Sequence, residues 1–128
     1  MSKIQIYFDG GCKPNPGMME ICINIYGDGA PQPSTVFDLG EGTNNLAEWS
    51  ALVWAAQTAV DKGYKGVEFI GDNITVINQA DNKWAIKERS FLPFKEAFMQ
   101  LNHTVGGTLR HVPRDDNRAG TYLEKGLV

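Results

Sequence analysis

Three carboxylates stand where the chain changes character: Asp9 in YFDGGCKPNPG, Glu48 in TNNLAEWSALVWAA and Asp72 in FIGDNITVINQ. Mg²⁺ takes oxygen ligands in near-octahedral geometry, and carboxylates carried by separate rigid elements are able to converge on it. Each acid also has an ordinary reading. An Asp after a strand forms turns, and a Glu early in a helix complements its dipole. Near the end of the chain RDDNRAGTYLEKG adds Asp115, Asp116 and Glu124.

The elements that must position these acids follow from hydropathy. Lys3–Asp9 alternates apolar and polar, the period of a strand. GGCKPNPG is a turn cluster. Strands are predicted again over Glu20–Gly27 and Ser34–Leu39, giving an antiparallel meander. From Asn44 the period becomes helical through Leu46, Trp49, Leu52, Val53, Ala56 and Val60, with Thr43 or Asn44 as the cap and Gly63 as the stop. Val67–Gly71 reads as a short buried strand, and Asn73–Ala80 and Phe91–Leu101 as helices. Val105–Val112 reads as a weaker strand and Ala119–Leu127 as a last helix. The order βββαβααβα predicts an α/β fold: one five-stranded mixed sheet with helices packed on it. Asp9 and Asp72 then lie at strand ends, where open α/β sheets place their sites.

At 128 residues the chain is expected to be one domain, 1–128, able to bury a core without staples. Cys12 and Cys22 have neither metal-ligand nor disulfide-framework spacing and read as free thiols. The start MSKIQIYFDGG does not have the form of a signal peptide, and no apolar run approaches a membrane span. The expectation is a cytoplasmic monomer. A net charge of −3 argues against a coat protein for nucleic acid, which is usually basic. It is compatible with a nucleic-acid enzyme whose site is built from carboxylates and inverted in sign by bound cations.

The stretches YFDGGCKPNPG, TNNLAEWSALVWAA, FIGDNITVINQ and HVPRDDNRAG, in that order from Ile4 to about Leu123, together resemble the type 1 ribonuclease H family. The resemblance implies a ribonuclease H-like fold and cleavage of the RNA strand of an RNA–DNA hybrid, leaving 5′-phosphate and 3′-hydroxyl ends. It implies Asp9, Glu48 and Asp72 as catalytic metal ligands, with Asp9 bridging two Mg²⁺ ions, or Mn²⁺ in their place. It puts Asn15, Asn44 and Asn45 where the family reads the hybrid's minor groove and sugars, and Cys12 and Thr43 where it touches the DNA strand. Amides suit a 2′-hydroxyl, which both donates and accepts, although Asn44 and Asn45 are equally good cap and turn residues. Arg114 matches an arginine suited to phosphate or to support of the site.

The chain departs from the family at its last acid, usually written N-x-x-A-D. Counting from Asn117 reaches Thr121, and counting from Ala119 reaches Gly120; neither is a carboxylate. Three accounts compete, in this order: three acids suffice with water completing a cation's shell; Glu124 reaches back as a metal ligand; Asp115 or Asp116 supplies the charge, with Asp116 read first as a helix cap. His103 and His111 are expected to have no catalytic role. The basic, Trp-bearing segment NKWAIKERS is brief, so weak and salt-dependent binding is expected. The alternative function is a weakened or inactive ribonuclease H-like module that binds nucleic acid. Retention of three leading acids argues against it, since like charges gathered without metal are costly. The same fold cutting double-stranded RNA is a further possibility.

Overall fold

The computed structural model describes residues 3–126. At its centre is β1 (Gln5–Cys12), antiparallel to β2 (Gly17–Tyr26) with Asp9 opposite Cys22. β2 continues antiparallel to β3 (Gln32–Val36), and its first residues also pair with the two-residue β4 (Glu41–Gly42). On the other side β1 runs parallel to β5 (Glu68–Gly71), and β5 parallel to β6 (Thr108–His111). The order is β3-β2-β1-β5-β6 with β4 beside β2. The expected five strands are therefore present and β4 is a sixth. At two residues without an apolar alternation it leaves no periodic signal.

Helix α1 (Asn44–Asp61) covers one face with α2 (Ile74–Ala80) and α3 (Leu92–Val105) beside it, and α4 (Arg118–Lys125) lies against β1 and β2. Strand alternation divides the core accordingly. Ile6, Phe8, Ile21, Ile23 and Ile25 pack with Trp49, Leu52, Ala55 and Ala56 of α1. Tyr7, Cys22 and Ile70 instead join Val112 and Ala119. Both cysteines are free and buried. No helix among the described residues is long and apolar enough to cross a membrane.

Several boundaries moved, each for a local reason. β3 begins at Gln32 and stops at Val36, ahead of the expected Leu39. It accepts Pro33 because an edge strand has an unpaired side, and it ends where Asp38 turns with φ 54°. Val105, expected in a strand, is the last residue of α3: it lies seven positions after Phe98, on the same buried face. Gly106 ends that helix in the left-handed conformation with φ 65°, and Asn102 exchanges two side-chain hydrogen bonds with the backbone of Gly107. Thr43 is the α1 cap, accepting from the Leu46 N–H at 3.2 Å. The expected end of the last helix at Leu127 lies outside the described residues.

One close approach sets the site. A Cβ on Gly10 would lie 2.4 Å from the Ala47 carbonyl oxygen, so β1 and α1 meet backbone to backbone. This brings Glu48, the next residue along α1, beside Asp9 inside β1, which continues past the strand end expected at Asp9 to Cys12. Gly10→Ala is therefore expected to cost about 1–3 kcal/mol by forcing the two elements apart. Urea unfolding checks it; a variant as stable as the parent would mean that the contact relaxes freely.

Candidate active site

Asp9 lies in β1, Asp72 directly follows the adjacent parallel β5, and Glu48 enters from α1. One carboxylate oxygen from each falls within 4.8 Å of the others. Asp9 and Glu48 are almost wholly buried. Asp9 Oδ1 and Glu48 Oε2 are buried and have no hydrogen-bond partner among the described residues. Burial pushes the Asp9 carboxyl up to about 6, with the charge of Asp72 adding to the rise, while Glu48, Arg114 and the Gly10 backbone act against it. Burial likewise raises Glu48 well above its ordinary range, and the neighbouring Asp9 charge raises it further. Partnerless buried oxygens on converging acids fit a divalent cation, which would satisfy both at once. The three acids line a cleft of about 530 Å³ together with Cys12, Asn44, Asn45, Arg114 and Glu124.

Asn117, not expected from the sequence to have a role in the site, organises this end of it. Fully buried, its Nδ2 donates to the Phe8 carbonyl and to Asp72 Oδ2, each at 2.9 Å. Its Oδ1 caps α4, accepting from the N–H groups of Ala119 and Gly120. The cap is therefore Asn117, and Asp116 instead lies in a short 3₁₀ turn, Arg114–Asp116. An Asn immediately before a helical pattern was the available signal.

That cap also fixes which residue faces the acids. A Cβ on Gly120 would lie 3.0 Å from Asp9 Oδ2 and 3.8 Å from Asp72 Oδ2. Thr121 turns its hydroxyl back to the Asn117 carbonyl at 3.0 Å. The position beside the cluster is thus 120, where the chain has no side chain. Glu124 is not among the gathered acids. It is hydrogen-bonded to Arg114 Nη2, which holds its carboxyl below the usual range, while Nη1 of the same guanidinium lies 4.0 Å from Asp72 Oδ1. Asp115 and Asp116 are exposed and line a separate cleft with Tyr7 and Arg118. His111 is exposed, with Nε2 3.2 Å from the Asp72 carbonyl, so it supports the turn after β5.

The amides form one seam beside the acids. Asn44 Oδ1 accepts from the Cys12 N–H at 3.0 Å, Asn15 Oδ1 from the Asn44 N–H at 3.1 Å, and Asn45 Oδ1 from Asn73 Nδ2 at 2.7 Å. Asn73 itself caps α2. Each carbonyl end is used inside the protein. The Nδ2 groups of Asn15, Asn44 and Asn45 have no acceptor among the described residues, so the seam presents donors outward. Cys12 is buried, with its thiol sulfur 3.5 Å from Asn15 Oδ1, Asn44 Oδ1 and the Gly42 carbonyl.

The sequence family described as reverse transcriptase-like matches residues 35–125. The chain is 34% identical over 126 residues to ribonuclease HI of Halobacterium salinarum, spanning 94% of this chain but 62% of that protein's length. It superposes on the crystal structure of RNase H1 from the same archaeon with a TM-score of 0.81, at 26% identity, over 95% of this chain and 98% of that one. LC11-RNase H1, solved in complex with an RNA/DNA hybrid, superposes with a TM-score of 0.75 at 31% identity, over 91% of this chain and 89% of that one.

The raised Asp9 carboxyl makes a prediction about stability. Between about pH 3.8 and 6 the folded chain holds a proton at Asp9 that the unfolded chain releases, so this group's stabilisation is complete at low pH and lost as pH rises through 6. In chelator, Asp9→Asn should gain stability over the parent by about 3 kcal/mol more at pH 8 than at pH 4. Urea unfolding of both proteins at both pH values measures this, and an equal difference at the two would remove the proposed burden of charge.

Proposed function

Since the chain belongs to the ribonuclease H family, we propose that it is a metal-dependent endoribonuclease hydrolysing the RNA strand of RNA–DNA hybrids to 5′-phosphate and 3′-hydroxyl ends. The observation that carries this reading is the convergence of Asp9, Glu48 and Asp72 with partnerless buried oxygens. LC11-RNase H1, related along most of both chains, binding such a hybrid supports the same substrate. Because the chain spans 62% of the curated relative's length, activity and partner are our inference for this chain.

Asp9, Glu48 and Asp72 would together hold the divalent cations of a two-metal site. Bound Mg²⁺, or Mn²⁺ in its place, would supply an activated water and offset charge growing on the leaving oxygen. The protein's own part is positional. The Gly10–Ala47 contact fixes Glu48 beside Asp9. Asn117 holds the Asp72 carboxylate by Oδ2, while Oδ1 lies 4.0 Å from the Arg114 guanidinium. The outward amide donors of Asn15, Asn44 and Asn45 suit minor-groove acceptors and 2′-hydroxyls, with Cys12 and Thr43 beside the DNA strand. Arg114 suits a phosphate, and Glu124 serves as its anchor in place of the metal-ligand role that ranked second among the three accounts. With glycine at 120, Asp9, Glu48 and Asp72 would hold the cations, and water would supply the remaining ligands. We read residues 1–128 as one domain, acting as a monomer in the cytoplasm.

Labelled hybrid, single-stranded RNA, double-stranded RNA and double-stranded DNA, each in Mg²⁺ and in Mn²⁺, test the proposal. Cleavage confined to the hybrid's RNA and abolished in Asp9→Asn is expected; a folded protein that cuts nothing in either metal would leave only the inactive-module reading. Glu124→Gln should lower activity a few-fold, chiefly through KM. A loss of roughly two orders in kcat would instead make Glu124 a ligand. Gly120→Asp places a carboxylate beside Asp9 and is expected to lower the Mg²⁺ concentration needed for half-maximal rate. An unchanged metal requirement would mean that position 120 does not reach the cations.

A further inference from the structure

Past the carboxylates the cleft continues into a second hollow of about 220 Å³, and the two share Lys13 and Glu20 in their walls. Half of its lining is apolar, Met18, Met19 and Phe37, a floor open to solvent, and half is charged, Lys13, Glu20 and Asp38. Phe37 is 61% exposed and Met18 45%, and both line it. The exposure is built in. β3 ends at Val36, Asp38 turns the chain with φ 54°, and the next residues are laced to β2 by Leu39 N–H to the Met19 carbonyl at 2.9 Å and Met19 N–H to the Gly40 carbonyl at 2.8 Å. Phe37 is thus held outward on a pinned segment beside the proposed catalytic cleft.

The chemistry of the hollow selects its occupant. A flat aromatic ring with a thioether beside it suits a nucleobase face. The rim carries Glu20 and Asp38, which accept hydrogen bonds from exocyclic amino groups, and Lys13, whose ammonium suits the phosphate attached to such a base. Bases within a duplex are already stacked on one another, so a hybrid's paired region offers this floor nothing to stack. We infer that Phe37 and Met18 form a stacking shelf for an unpaired, amino-bearing base flanking the duplex that lies over Asp9, Glu48 and Asp72. This rests on the hybrid-nuclease reading and extends it to a preference for junctions between duplex and single strand.

Binding to Asp9→Asn protein, measured by fluorescence anisotropy in Mg²⁺, tests the shelf. The probes are a blunt hybrid and hybrids with a three-nucleotide adenine overhang placed in turn at each strand end, each with an abasic twin. One adenine overhang should tighten binding at least about fivefold over blunt. The abasic twin should lose that gain, Phe37→Ala in the same background should erase the overhang-to-blunt ratio, and Phe37→Trp should keep it. No gain at any end, or a gain that survives Phe37→Ala in protein with an unchanged circular dichroism spectrum, overturns the shelf. Blunt-hybrid cleavage by the parent protein is scored separately. Cleavage without an overhang gain removes the shelf alone, whereas an overhang gain without cleavage supports the shelf and removes the nuclease.

Discussion

Two carboxylates, Asp9 and Glu48, are held in contact where water is largely excluded, and the architecture around them serves to maintain that placement. Ionised and unscreened, they repel and lack the hydration they would have in water. The pair remains together because backbone geometry leaves neither side chain an alternative. β1 is the central strand, locked by β2 on one side and β5 on the other. α1 is seated on it by small residues, Ala47, Ala51, Ala55 and Ala59, all buried. With Gly10 beneath Ala47 the helix cannot back away without uncovering the core around Trp49 and Phe8. Stability of the fold is thereby exchanged for a site already arranged for cations, and the third acid, Asp72, is brought in by a parallel strand that ends where its register comes level with Asp9, while β1 runs on to Cys12.

Much of this was legible from residue order. Asp9, Glu48 and Asp72 could be assigned to separate elements because alternation and helical period are strong around them, and the structure gathers those three. The expected strand end at Asp9 was wrong, because pairing with β2 carries β1 through Gly10 and Gly11 to Cys12. The strand and helix order also follows from period alone. What failed to show were features set by contacts distant in sequence. β4 is two residues long and exists through pairing with Gly17 and Met18. Val105 has strand-forming character, but the packing of α3 claims it as the last turn of a helix.

The fourth position illustrates the limit more sharply. Counting could not choose between Gly120 and Thr121, because adjacent helical residues differ by about 100° in direction and a pattern of letters does not fix rotation. The rotation is set by Asn117, whose amide binds strand and helix together, and it turns 120 inward and the Thr121 hydroxyl back onto the helix. Glu124 was similarly ambiguous: a long acid on the near face could reach the cluster or stop at Arg114, and only the position of the guanidinium decides between them.

The bond from Asn117 to the Phe8 carbonyl joins residues 109 positions apart. Contacts of such separation form late, after loop closure over most of the chain. During synthesis the first strand and its acid emerge early, while the residue that orients Asp72 and seats α4 emerges long afterwards. Asn117 follows β6, the last strand of the sheet, by only a few residues, so sheet and acid cluster are completed together at the end of synthesis. Completion of the cluster is tied to the arrival of one buried amide, so a partly made chain carries the carboxylates without the geometry.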